Sequence, residues 1–170
     1  KANLRAQYGL GGAHANNMTF ALPPGSGKWY WEVTLLVQKE GHLGVVSEDY
    51  DLETDIMQFG QSAHGWAYFT GEGVRKNNNV ETGSSHTIFQ VDDTVGFLLD
   101  TTAGTLTIEI NGVAQTSGNG AQFTNIPTDK TIYPFYYLGG ASGDANLQWN
   151  FGQHAFQHEP TGYQHIATNN

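Results

Sequence analysis

Five acids crowd eight positions of this chain: Glu48, Asp49, Asp51, Glu53 and Asp55. Carboxylate oxygens at that density are the donors Ca²⁺ takes, roughly six to eight at a time. The segment lacks the glycine and the distal bidentate Glu of a helix-loop-helix calcium site, so it is expected to be a solvated acidic loop. Glycoside hydrolysis needs two carboxyl groups facing each other at roughly 5 to 9.5 Å. Glu32, Asp100 and Glu109 are the candidates, and each falls on the outward phase of an alternating run with no partner in view. Among the seven histidines, His154 and His158 stand four apart with His165 further on. That spacing shares a face only on a helix, and Pro160 and Gly162 argue against one, so these read as surface or hydrogen-bonding histidines. Ser85 and His86 are adjacent, and adjacent strand residues point to opposite faces, so they cannot act as a nucleophile-base pair. Gly9-Leu10-Gly11-Gly12 is glycine-rich, but no lysine and helix follow as in a phosphate loop, so it reads as a turn. No catalytic residue, metal or cofactor is assigned.

Composition narrows the classes. The chain has 170 residues, 38% hydrophobic and 14% charged, with 22 glycines and a formal net charge of -9. A chain this long can bury ~70% of its unfolded surface and is expected to form one domain. Low charge and abundant aromatics exclude disorder and a coiled coil. Seven Lys+Arg against sixteen Asp+Glu leave few cations to cluster, so nucleic acid is not an expected partner. With no cysteine, disulfide scaffolds, thiol nucleophiles and thiolate metal sites are all excluded. No apolar run approaches the ~20 residues of a membrane span, so no membrane insertion is expected. The chain opens on Lys1, as a processed chain or an excised segment would.

The elements that must position any site follow a period of two. Trp29, Trp31, Val33, Leu35 and Val37 alternate with Tyr30, Glu32, Thr34 and Leu36, predicting a strand with one buried face. Val95, Phe97 and Leu99, then Leu106, Ile108 and Ile110, predict two more, and Asn111-Gly112 suits a tight type I′ turn. Val95 to about Gln115 therefore reads as a three-stranded meander. Ile132 to Leu138 and Leu147 to Phe151 are expected to form a further pair, joined by residues 139–144. No long helical period appears. Short strands between Gly- and Asn-rich turns predict an all-β, antiparallel sandwich or barrel.

The strand blocks resemble the SPRY domain. Gly27-Lys28-Trp29-Tyr30-Trp31-Glu32-Val33 is similar to that family's aromatic opening strand, and Leu43-Gly44-Val45-Val46 to the strand after it. Gly65-Trp66-Ala67-Tyr68, Gly71 and Lys76-Asn77-Asn78-Asn79 resemble its next strand and turn. Asp93-Thr94-Val95-Gly96-Phe97-Leu98-Leu99-Asp100, Gly104-Thr105-Leu106 and Asn111-Gly112-Val113 form the most specific block. Tyr133-Pro134-Phe135 and Asn150-Phe151-Gly152 match the last two strands. Asn150-Phe151-Gly152-Gln153, Phe156 and Pro160-Thr161-Gly162-Tyr163 further resemble the tail of SPRY-like domains in bacteriophage virion proteins, as does the Asn77–Asn79 turn. Glu109, Ile110, His154 and His158 depart from the family's usual residues.

The resemblance implies a bent two-layer antiparallel sandwich, a concanavalin-like jelly roll, with residues 1–26 leading in, 27–152 as core and 153–170 as extension. It implies a non-enzymatic recognition or assembly part of a virion: receptor attachment on a tail fibre or spike, or capsid decoration. Its partners would be other virion subunits, a host receptor or a glycan, with copies in a homo-oligomer. A cellular peptide-binding adaptor and a glycan-binding or glycan-active domain are the alternatives. Trp29, Trp31, Phe97, Trp149 and Phe151 are assigned to the core. Aromatics at strand ends and in loops give rigid contact area, so Tyr50, Phe59, Tyr68, Phe69 and Tyr137 are the candidate binding residues. Glu40, His42, Arg75 and Asn77 would lie beside them in the family layout.

Overall fold

A computed structural model describes residues 4–7, 14–17, 20–37, 41–51, 60–82, 87–115, 123–138 and 146–168. The strands are β1 (Leu4–Gln7), β2 (His14–Asn17), β3 (Lys28–Val37), β4 (Gly41–Ser47), β5 (Gly65–Phe69), β6 (Val74–Asn77) and β7 (Val80–Thr82). They continue as β8 (Thr94–Asp100), β9 (Thr105–Ile110), β10 (Val113–Ala114), β11 (Ile132–Leu138), β12 (Asn146–Asn150) and β13 (Gln164–His165). A 3₁₀ turn, Ile166–Thr168, follows β13.

The strands form two antiparallel sheets. One runs β1-β12-β3-β8-β9-β10, with β13 added in parallel beside the start of β3, and makes seven strands. The other runs β2-β11-β4-β5-β6-β7. Alternation decides what lies between them, because successive side chains of a strand point to opposite faces. Trp29, Trp31, Val33, Leu35, Val95, Phe97 and Leu99 face inward from the first sheet, and Leu43, Val45, Trp66, Tyr68 and Ile132 from the second. Trp31 and Phe97 are directly opposed on β3 and β8 and stack with ring centroids 5.2 Å apart. All five aromatics assigned to the core lie in it.

The meander stands as β8–β9–β10. Asn111 and Gly112 take φ of 51° and 75°, which a type I′ turn requires. The Asn111 side chain ties the turn to β8: its Oδ1 accepts from Thr94 N at 2.9 Å and its Nδ2 donates to Asp93 Oδ1 at 2.7 Å.

Two expectations need correction. Ile132 to Leu138 and Leu147 to Phe151 do not pair with each other: β11 lies between β2 and β4, whereas β12 lies between β1 and β3. The chain changes sheet between them, and each strand pairs on both edges with strands from distant sequence. The outer face of β3 is also covered. Tyr30 and Glu32 are as buried as the core residues they alternate with, at 0% and 2% exposure. The cover is residues 152–165, a strap across the seven-stranded sheet with Phe156 edge-on to Tyr30 at 4.9 Å.

Candidate functional site

The outer face of the six-stranded sheet carries a row of rings. Register puts Tyr137 of β11 opposite His42 of β4, and His42 opposite Phe69 of β5. Cross-strand neighbours on one face sit about 4.5–5.5 Å apart at Cβ, so rings at those positions must meet. The His42 and Phe69 centroids are 3.6 Å apart, and those of His42 and Tyr137 are 5.1 Å apart. Ala67 leaves room for Lys76, its partner on β6, whose ammonium lies 4.8 Å over the Phe69 ring and 3.5 Å from Glu81. Val46, Tyr50, Ala67 and Phe135 form a buried cluster alongside, so the partly buried rings of Phe69, Tyr133 and Tyr137 rest on a packed base.

Local anchors hold this end of the sheet. The Thr70 hydroxyl accepts from Gly41 N at 3.1 Å and donates to Gly41 O at 3.0 Å, tying the corner after β5 to the start of β4. Burial, aided by the Lys76 charge, pushes the His42 imidazole down to about 4. At neutral pH it is therefore an uncharged ring, and the row presents stacking surface with one cation at its border. Such a surface suits aromatic or planar peptide groups. Nothing in it is a nucleophile held by a base.

Of the nine residues named from sequence, the structure brings three together: His42, Phe69 and Tyr137. Glu40 and Phe59 lie outside the described residues. Tyr50 is 8% exposed and packs on Phe135 at 5.2 Å, beneath the surface. Tyr68 and Arg75 are opposed on β5 and β6 and point into the sandwich, at 1% and 3% exposure. Tyr68 donates its hydroxyl to Thr87 O, and the Arg75 guanidinium lies 5.2 Å over Phe123. The expectation that Tyr68 is a binding residue with Arg75 beside it is corrected by period two: Trp66 is core, so Tyr68 must face the same way. Burial raises the Tyr68 hydroxyl above its ordinary range and lowers the Arg75 guanidinium. Asn77 braces the loops at the far end, donating to Gly65 O at 2.9 Å and accepting from Asn125 at 2.7 Å. Sequence reasoning missed Lys76 and Tyr133; pairing the β5–β6 hairpin in register would have found Lys76.

The other constellations have structural roles. Glu48 and Asp49 pair with Lys130 at 3.8 and 3.1 Å, and the Asp49 hydrogen bond holds that ammonium above its usual range. Asp51 is exposed, and Glu53 and Asp55 lie outside the described residues, as do Ser85, His86 and residues 9–12. Asp100 accepts from the amides of Thr102 and Ala103 at 2.9 and 2.8 Å, closing a turn. Glu32 is not without partners: Tyr30 and two strap amides donate to it. Among the described residues no group of His, Asp and Glu is arranged to hold a metal, and no helix is long and apolar enough to cross a membrane.

Comparison with known proteins gives the same architecture. No curated protein matches the sequence. The crystal structure of the SPRY domain of human HERC1 superposes with a TM-score of 0.69 at 16% identity, covering 89% of this chain and 90% of that one. The SPRY domain family model matches residues 28–154. That span holds the whole meander, most of both sheets and the ring row, and it makes this chain a member of the SPRY domain family.

Proposed function

We propose that this domain is a non-enzymatic recognition module that grips a short segment of a partner protein on the outer face of its six-stranded sheet. SPRY domains are in general protein-protein interaction modules. The observation that carries the reading is the row Tyr137–His42–Phe69, three rings in contact on a packed base with Lys76 at its edge. Rigid rings lose little side-chain entropy on binding, so a patch of this kind serves as an anchor. The test is selection from a random peptide library on the immobilised domain. Recovered peptides are expected to bind Phe69→Ala and Tyr137→Ala about 10-fold or more weakly than the parent. Peptides indifferent to both substitutions would overturn the site.

The setting we propose is a phage particle, with receptor attachment on a fibre or spike ahead of capsid decoration. The similarity of Asn150 to Gln153 and Pro160 to Tyr163 to virion SPRY-like tails supports it. An antibody raised to the domain is expected to label purified particles and block adsorption. Particles without the domain would remove the virion setting and leave the cellular adaptor reading, which rests on the same ring row.

A further inference from the structure

Glu32 stands on the outer face of β3, opposite Gly96 of β8 and Asn150 of β12, and is 2% exposed. A buried carboxylate is costly unless its lone pairs are filled. None of the ion pairs among the described residues includes it. Its Oε1 accepts from the Tyr30 hydroxyl at 3.0 Å and from His158 N at 2.8 Å, and its Oε2 accepts from Gln157 N at 3.0 Å. Gly96 makes this possible, because a Cβ there would stand 2.6 Å from the Tyr30 hydroxyl oxygen.

The strap is thus read at three successive residues. Phe156 meets Tyr30 edge-on at 4.9 Å, and the next two backbone amides grip Glu32. Neither amide contact depends on a side chain of the strap. The ends of the strap are fastened separately. Ala167 N donates to Phe151 O at 2.8 Å, Ile166 is buried at 3% exposure, and Asn150 Oδ1 accepts from Gly152 N at 3.1 Å. Between these anchors His154, Ala155, Gln157, Glu159, Thr161 and Gly162 are exposed. The middle is held besides by Asn150 Nδ2 donating to Ala155 O at 3.1 Å, by Phe156 edge-on to His165 at 4.9 Å and by the His165–Glu159 pair at 2.6 Å. It can lift while both ends stay in place when those contacts release, as a compact surface loop does.

We infer that the Tyr30–Glu32 face of the seven-stranded sheet is a second peptide site, filled in cis by Phe156–His158. The occupant it would take in trans is an extended partner segment with an aromatic residue followed by two residues that are not proline. The ring would replace Phe156, and the two amides would replace those of Gln157 and His158 on the Glu32 carboxylate, which the occupant would cover again as the strap does. Charge-assisted bonds of this kind are about twice as strong as neutral ones. The strap competes at the high effective concentration of a tethered ligand, so the site is masked until the strap lifts. This site shares no residue with the ring row on the opposite sheet.

The experiment uses the full chain and a capped synthetic peptide of residues 153–160, titrated by calorimetry. Phe156→Ala, which loosens the strap, is expected to bind the peptide about 10-fold or more tightly than the parent chain. Adding Glu32→Gln is expected to reverse that gain, as is a peptide carrying His158→Pro, which lacks one of the two amides. A Phe156→Ala chain that melts like the parent and binds no peptide would overturn the inference. So would binding that ignores Glu32→Gln or the proline peptide. If Phe156→Ala does not fold, hydrogen exchange on the parent chain decides. The Gln157 and His158 amides are expected to exchange through an opening well before those of Trp31 and Phe97. Exchange only at the rate of the sheet would mean that the strap never lifts, and would sink the proposal.

Discussion

His42 and Phe69 face each other across β4 and β5 on the outer face of the six-stranded sheet, with ring centroids 3.6 Å apart. The pair joins the packed cluster beside it to the surface proposed to bind a partner.

Acid should loosen this pair. Burial holds the His42 imidazole at about 4, well below its ordinary 6.5. A base whose folded value is lowered leaves the unfolded chain binding more protons between those two values. Its contribution is therefore complete above about pH 6.5, falls as the pH drops, and is gone below about pH 4. Among the described residues, Lys76 and Glu81 are charged groups on this face, with the Tyr137 hydroxyl beyond. The expected loss is on the order of 3 kcal/mol, read as a fall in melting temperature that His42→Gln flattens. A His42→Gln profile identical to the parent would remove the assignment.

Tyr68 is a core residue, and its substitutions should say so. Tyr68→Ala is expected to cost ~3 to ~5 kcal/mol by emptying a buried position. Tyr68→Phe should cost ~1 to ~2 kcal/mol, because Thr87 O loses its donor. A denaturant melt showing Tyr68→Ala within ~1 kcal/mol of the parent would put the ring on the surface.

Trp31 tests the sandwich itself. It is fully buried against Phe97, so Trp31→Ala should cost ~3 to ~5 kcal/mol. Its indole N–H has no hydrogen-bond partner among the described residues. Trp31→Phe should therefore cost less than half as much, since no bond is lost with the smaller ring. Equal costs for the two would show an acceptor for the indole.

Gly96 is needed for its emptiness. A Cβ would stand 2.6 Å from the Tyr30 hydroxyl oxygen, so Gly96→Ala should displace the ring at a cost of ~1 to ~3 kcal/mol. Adding Tyr30→Phe, which removes that oxygen, should recover part of the loss. Additive losses in the double variant would place the strain elsewhere.

Much of the architecture was legible in strand alternation. Trp29 to Leu35, Val95 to Leu99 and Leu106 to Ile110 bury the residues that alternation marks as inward, and Asn111-Gly112 turns where its positive φ makes turning cheap. The partnering of β11 and β12 was not legible. Short range favours a hairpin between consecutive strands, whereas the sheets give each strand two neighbours from distant sequence. The site was legible only in part. Phe69, His42 and Tyr137 were named for being aromatic or adjacent, but Tyr68 and Arg75 were named with them although their phase in β5 and β6 turns them inward.

Period two by itself determined that this chain builds strands with one buried face that carries the tryptophans, because a side chain's face depends only on its place along its own strand; that the strands stack as two sheets was decided by tertiary structure. Which outward faces stay open was decided by tertiary structure. Glu32 and Phe69 look alike in sequence, each on the outward phase of a strand. One is sealed by a strap whose amides arrive from more than a hundred residues away, and the other shares a half-exposed row with rings from β4 and β11. Covering a face needs a segment folded back across it, and no local pattern encodes that arrival.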